Sequence, residues 1–183
     1  MFEQPDNITL ASYILHEIVS KMPRAQFAAK HGIEWEEQIV KLEETTTFET
    51  LHNMKSFVGA FDHAAVVGAC LASGWLESNV SVLLDDENPS RVMDELGPFS
   101  HLITEIVHKK VPPIRPIAKR TKEQLITQGF LLGLDLGRCL KNITPYSKMS
   151  SVKMREVLEM VKDRPDLIKR GKKPLMPTGV HTR

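Results

Sequence analysis

The chain has 183 residues, enough for one domain with a sizeable core, and an ordinary globular composition. Its two cysteines and seven histidines form no cluster with zinc-ligand spacing, which sets aside a zinc-binding module. The net charge of +1 conceals a split: residues 1–110 hold 8 Lys and Arg against 17 Asp and Glu, whereas residues 111–183 hold 16 against 6.

Residues 1–6 read as a loose arm. They contain no basic region followed by an apolar run, so no secretory signal is expected, and the expected location is intracellular, cytoplasmic or within a large particle. Asn7 caps a helix over 8–22, with Ile8, Ala11, Ile14, Leu15, Ile18, Val19 and Met22 on one face. Pro23 opens a short helix, 24–31, stopped by Gly32. A further helix over 33–44 carries Trp35, Ile39 and Leu42 as its stripe. The two helices around Gly32 have the outline of a helix-turn-helix. Glu34, Glu36, Glu37, Glu43 and Glu44 on the second would be repelled by phosphates, so it does not read DNA.

Thr46 and Glu49 have capping-box spacing, so a central helix is expected from there to about Glu77. Leu51, Met54, Val58, Phe61, Ala65, Leu71 and Trp75 form its broad apolar stripe. Small residues recur every fourth position at Ala60, Ala64, Gly68 and Ala72. A membrane span is set aside, because Asp62 and His63 sit inside the apolar run. Residues 80–84 read as an extended piece. Asp85, Asp86 and Glu87 form a solvated turn without calcium-loop spacing. Asn88 and Pro89 open a short helix that Gly97 and Pro98 end. Another follows over 99–110, with Leu102, Ile103, Ile106 and Val107 inward.

Residues 111–120 hold three prolines and form a semi-rigid connector, and the charge changes sign there. Thr121 and Gln124 cap a helix to Lys141 that carries Gly129, Gly133 and Gly137, again four apart. A mid-helix glycine costs about 1 kcal/mol against alanine, and three in register suggest that close packing offsets the cost. The two small-residue ridges are expected to cross in the core. Cys70 and Cys139 fall in these two helices, where buried, reduced thiols are expected. Ser150 or Ser151 caps a last helix to about Asp163, with Val152, Val157, Leu158 and Val161 inward. The end, 164–183, is broken by Pro and Gly and carries Arg164, Lys169, Arg170, Lys172, Lys173 and Arg183 against Asp166 alone.

Two E-x-x-H units, Glu49–His52 and Glu105–His108, are the sharpest enzyme-like pattern. With Glu17 and Glu77 they supply the residue types of a di-iron carboxylate bundle. Such ligands must face the bundle core, yet at 100° per residue Glu105 and His108 lie about 130° and 170° from the centre of their apolar face. No metal and no cofactor is therefore assigned. Asp62 beside His63 has the chemistry of a general-base pair, but adjacent helical residues diverge by about 100°. Asp135 reaches Arg138 at i+3. No Walker loop, nucleophile elbow, zincin helix or dinucleotide glycine pattern occurs.

The expected fold is all-α, a single compact bundle of about seven helices over 1–163 with an extended basic C-terminal arm, 164–183. Acidic helices fill 1–110 and basic helices 121–163. The expected function is a non-catalytic structural or interaction subunit of a larger assembly. Its basic C-terminal part contacts other protein chains, copies of itself, or DNA or RNA backbone. The arm has no aromatic residue, so contact with nucleic acid would be to phosphate rather than to stacked bases. The alternative is a small helical enzyme or metal-binding protein using Asp62 and His63 or the Glu/His pairs.

Overall fold

The computed structural model describes residues 7–20, 51, 53–79, 90–112, 119–145 and 148–169. Among these residues the regular structure is entirely helical. Six α-helices follow in order: α1 (Asn7–Ser20), α2 (Phe57–Ser73), α3 (Trp75–Ser78), α4 (Ser90–Lys110), α5 (Lys119–Ile143) and α6 (Ser151–Lys162). A 3-10 turn at Pro165–Leu167 closes the described chain. The helices expected at 24–31 and 33–44, the capping pair Thr46 and Glu49, the extended piece at 80–84 and connector residues 113–118 lie outside the described residues.

The central helix is interrupted where it was expected to be continuous: Leu51 is helical, residues 53–56 are not, and α2 ends at Ser73. It starts at Phe57, because Ser56 takes an extended backbone and its Oγ accepts from Gly59 N at 2.9 Å. Immediately before it, Met54 N donates to Leu51 O at 3.2 Å and closes a turn. At the other end Gly74 has φ 91°, a left-handed conformation that stops the helix and that glycine adopts without strain. The chain restarts as the single turn α3. There Trp75 is buried edge-on against Phe99, ring centroids 5.8 Å apart.

Two expected helices are one. Gly97 and Pro98 do not end a helix; α4 runs through them from Ser90 to Lys110. Proline removes one helical hydrogen bond, that to the carbonyl four residues back, here Asp94. Asp94 and Pro98 are both exposed, so the lost bond falls on the solvent side of the helix and not in the core.

The closest packing is between α2 and α5. A Cβ on Gly129 would come 2.6 Å from Phe61 O and 3.2 Å from Ala64 Cβ. On Gly137 it would come 2.7 Å from Ala69 O and 2.8 Å from Ala72 Cβ. On Gly133 it would strike Ala65 O outright. From the other side, a Cβ on Gly68 would meet Phe130 O at 2.6 Å. The two backbones approach along three turns with nothing larger than an alanine methyl between them. Ala60, one turn before Ala64, is fully buried.

The other helices enclose this pair. α1 buries Ala11, Ile14 and Leu15 against α2 and α4. α6 packs chiefly on α4 through Met154, Val157, Leu158 and Val161. Ser150 caps it, accepting from Lys153 N at 3.1 Å. Val152 was expected inward and is instead 68 % exposed, because Met154 takes the inward position in the first turn. Polar bonds lock α6 to α3: Trp75 Nε1 donates to Ser151 Oγ at 3.1 Å, and Met149 N donates to Ser78 Oγ at 3.0 Å. Cys70 and Cys139 are free and buried, and burial raises both thiols above their ordinary value. Among the described residues no helix is long and apolar enough to cross a membrane.

Candidate functional site

Asp62 lies on α2 and is only 7 % exposed. A buried carboxylate needs a partner. His63 does not supply it, since neighbouring helical side chains diverge by about 100°; that ring is itself buried. The partner comes from α4: His108 Nε2 lies 2.6 Å from Asp62 Oδ1. The imidazole also packs against Phe61, ring centroids 5.8 Å apart. His108 stands at the rim with 36 % of its side chain exposed, while Asp62 lies behind it. Burial pushes the Asp62 carboxyl above the usual carboxylate range, and the hydrogen bond and charge of His108 act in the opposite sense.

The arrangement takes one member from each of two pairs adjacent in sequence. Asp62 is joined to His108 rather than to His63. His108 is separated from Glu105, which is exposed and faces Lys162 at 3.9 Å. The pair can hold and exchange a proton, with the buried carboxylate orienting a half-exposed imidazole. Glu77 is half-buried. Glu49, His52 and the side chain of Glu17 lie outside the described residues. Among the described residues no three His, Cys, Asp or Glu side chains gather as metal ligands.

Asp135 pairs with Arg138, Nη1 to Oδ1 3.0 Å, within one turn of α5. Lys122 is a buried cation that sequence reasoning passed over. Its Nζ donates to the Met54 carbonyl and lies 4.9 Å from the centre of the Phe57 ring, fixing the turn before α2. Burial lowers its pKa from the ordinary lysine value. The signal was present: Lys122 precedes Leu125 and Ile126 by three and four residues, on the apolar stripe.

Of the basic residues at the C-terminal end, Arg164 and Lys169 are described and exposed, whereas Arg170, Lys172, Lys173 and Arg183 lie outside the described residues. Arg164 grips Asp166 with two bonds, Nε to Oδ1 3.0 Å and Nη2 to Oδ2 2.9 Å. That contact raises the arginine pKa and lowers the carboxyl pKa. Ile168 is only 7 % exposed and belongs to the core. Its carbonyl accepts from Lys110 Nζ at 3.5 Å. The chain matches no protein-family model, and no curated protein or solved structure aligns with it significantly.

Proposed function

We propose that this chain is a non-catalytic structural or interaction subunit of a larger assembly. It contacts an anionic partner, a nucleic-acid backbone or an acidic protein surface, through its basic C-terminal part. The observation that carries the proposal is the charge split, −9 over residues 1–110 and +10 over 111–183. The proposed architecture is a bundle of about seven helices whose basic arm, after Lys169, is available to the partner. The proposed location is intracellular, free or within a large particle.

Light scattering with absorbance at 260 and 280 nm, at low and high salt, tests this reading. A large particle or bound nucleic acid that dissociates with salt supports it. A monomer free of nucleic acid at both salts overturns it.

The Asp62–His108 contact at 2.6 Å favours a second reading, a small helical enzyme using that pair as a proton acceptor. Asp62→Asn and His108→Ala separate the two. An enzyme loses turnover while still folded, whereas a structural pair changes stability alone.

A further inference from the structure

Lys109 and Lys110 belong by sequence position to the acidic half. The structure brings them to the basic one. They end α4, and Lys110 Nζ donates to the carbonyl of Ile168, across 58 residues of chain. Four to five residues earlier on α4, Glu105 lies 3.9 Å from Lys162, the last residue of α6. Because Ile168 is buried and bonded to Lys110, the last described residue, Lys169, is held beside the end of α4. Lys109, Lys110, Lys162 and Lys169 therefore gather at one corner. Arg170, Lys172 and Lys173 follow Lys169 in the sequence.

Three carboxylates lie at this corner, Glu105 facing Lys162, Asp166 gripped by Arg164, and exposed Asp163 at the end of α6, against the five cations Lys109, Lys110, Lys162, Arg164 and Lys169. Lys110 is bonded to a neutral carbonyl, which leaves its charge in place. The negative end of the α4 dipole accounts for cations on that helix. The dipole of α6 accounts in the same way for Lys162, but neither helix accounts for the two ends, and Lys169 beyond them, being brought to one place.

We infer that this corner is the docking surface for the anionic partner, and that the partner is a nucleic-acid backbone. The inference rests on the function proposed above and adds Lys109 and Lys110, on the folded body, to the contact. Protein interfaces are depleted in lysine and built on aromatic, Met and Arg anchors. The exposed large apolar residues of the described surface are Tyr13, Val58, Val152 and Met160, of which Met160 alone lies close in sequence to the corner, two residues before Lys162, so the corner presents cations rather than an apolar cluster. Lysines are flexible point charges, suited to a line of phosphates and unsuited to reading bases.

The test uses the full chain and a fluorescent duplex of about 20 base pairs, titrated from about 50 to 200 mM salt. Lys109→Ala/Lys110→Ala should weaken binding at low salt and make the log K against log salt slope shallower by about 2, with unchanged helical circular dichroism. Lys148→Ala, beyond the opposite end of α6, should leave both as in the wild type. If the double variant binds as the wild type while Arg170→Ala/Lys172→Ala/Lys173→Ala does not, the corner is not the surface and the basic-arm reading survives. If the wild type ignores the duplex but binds poly-glutamate, the partner is an acidic protein and the inference falls alone. If it binds neither at low salt, the inference and the proposed function fall together.

Discussion

His108 Nε2 lies 2.6 Å from Asp62 Oδ1, and this bond ties the C-terminal end of α4 to α2. Removing the imidazole leaves a buried carboxyl without that hydrogen bond. His108→Ala is therefore expected to cost about 1–3 kcal/mol, the penalty for an unsatisfied buried polar group. Asp62→Asn keeps a side-chain hydrogen-bonding group at the position without a charge and is expected to cost less. Urea unfolding of the two variants checks the order. A His108→Ala midpoint equal to wild type would mean that the bond contributes nothing to the fold.

The same carboxyl sets a pH dependence. Its pKa is raised in the fold, chiefly by burial, so folding favours the protonated form. The resulting stability is complete below the unfolded value of about 3.9 and is lost as pH rises through the folded value. Asp62→Asn cannot ionise and does not suffer that loss. The stability of Asp62→Asn relative to wild type should therefore increase as pH rises from about 4 towards neutrality. Urea titrations across that range measure it. A difference independent of pH would place the Asp62 pKa at its unfolded value.

The contact between α2 and α5 leaves no room for a methyl group. A Cβ on Gly133 would strike Ala65 O and come 2.9 Å from Ala69 N, both backbone atoms that no rotamer change can move. Alanine gains about 1 kcal/mol in helix propensity. Overpacking costs about 1–3 kcal/mol and more where backbones must separate. Gly133→Ala should be net destabilising, with a lower thermal midpoint despite the better helix former. A rise in the midpoint would mean that the two helices separate without cost.

Local signals in the sequence carried the all-helical class. Ser150 opens α6 because an N-cap is decided within a few residues, whereas Gly74, which the expected helix ran through, ends α2 by its left-handed φ of 91°. The four-residue spacing of Gly129, Gly133 and Gly137 is likewise local, and marks the face of α5 that touches α2. Competing local signals were not resolved. Thr46 and Glu49 lie outside the described residues, whereas Ser56, which carries no capping-box partner in sequence, caps α2 after a turn that Met54 N closes to Leu51 O. Pro98 has the chemistry of a helix stop, but it lies on the exposed side of α4, where a missing helical bond leaves no buried carbonyl in the core. The Asp62–His108 contact joins residues 46 positions apart, and no periodicity encodes it. At 100° per residue His108 lies far from the centre of the apolar face of α4. That face was centred on Leu102, Ile103, Ile106 and Val107, whereas α4 contacts α1, α2, α5 and α6 and is covered over a wider arc.

Ile168 sets where the chain can be cut. It is buried in the core, and its carbonyl accepts from Lys110. Burying an isoleucine side chain contributes about 1.5–3 kcal/mol. A chain ending at Asp163 loses that burial, together with the half-buried Leu167. It should unfold at a lower urea midpoint than the full protein. A chain ending at Lys169 keeps both residues and should match the full protein in midpoint and helical signal, while losing the charges of Arg170, Lys172, Lys173 and Arg183. Comparing the two separates the role of the C-terminal segment in the fold from its role towards a partner. Reduced polyanion binding with an unchanged midpoint in the longer variant assigns those four charges to the partner. Equal midpoints in both variants would mean that Ile168 contributes nothing to the core it enters.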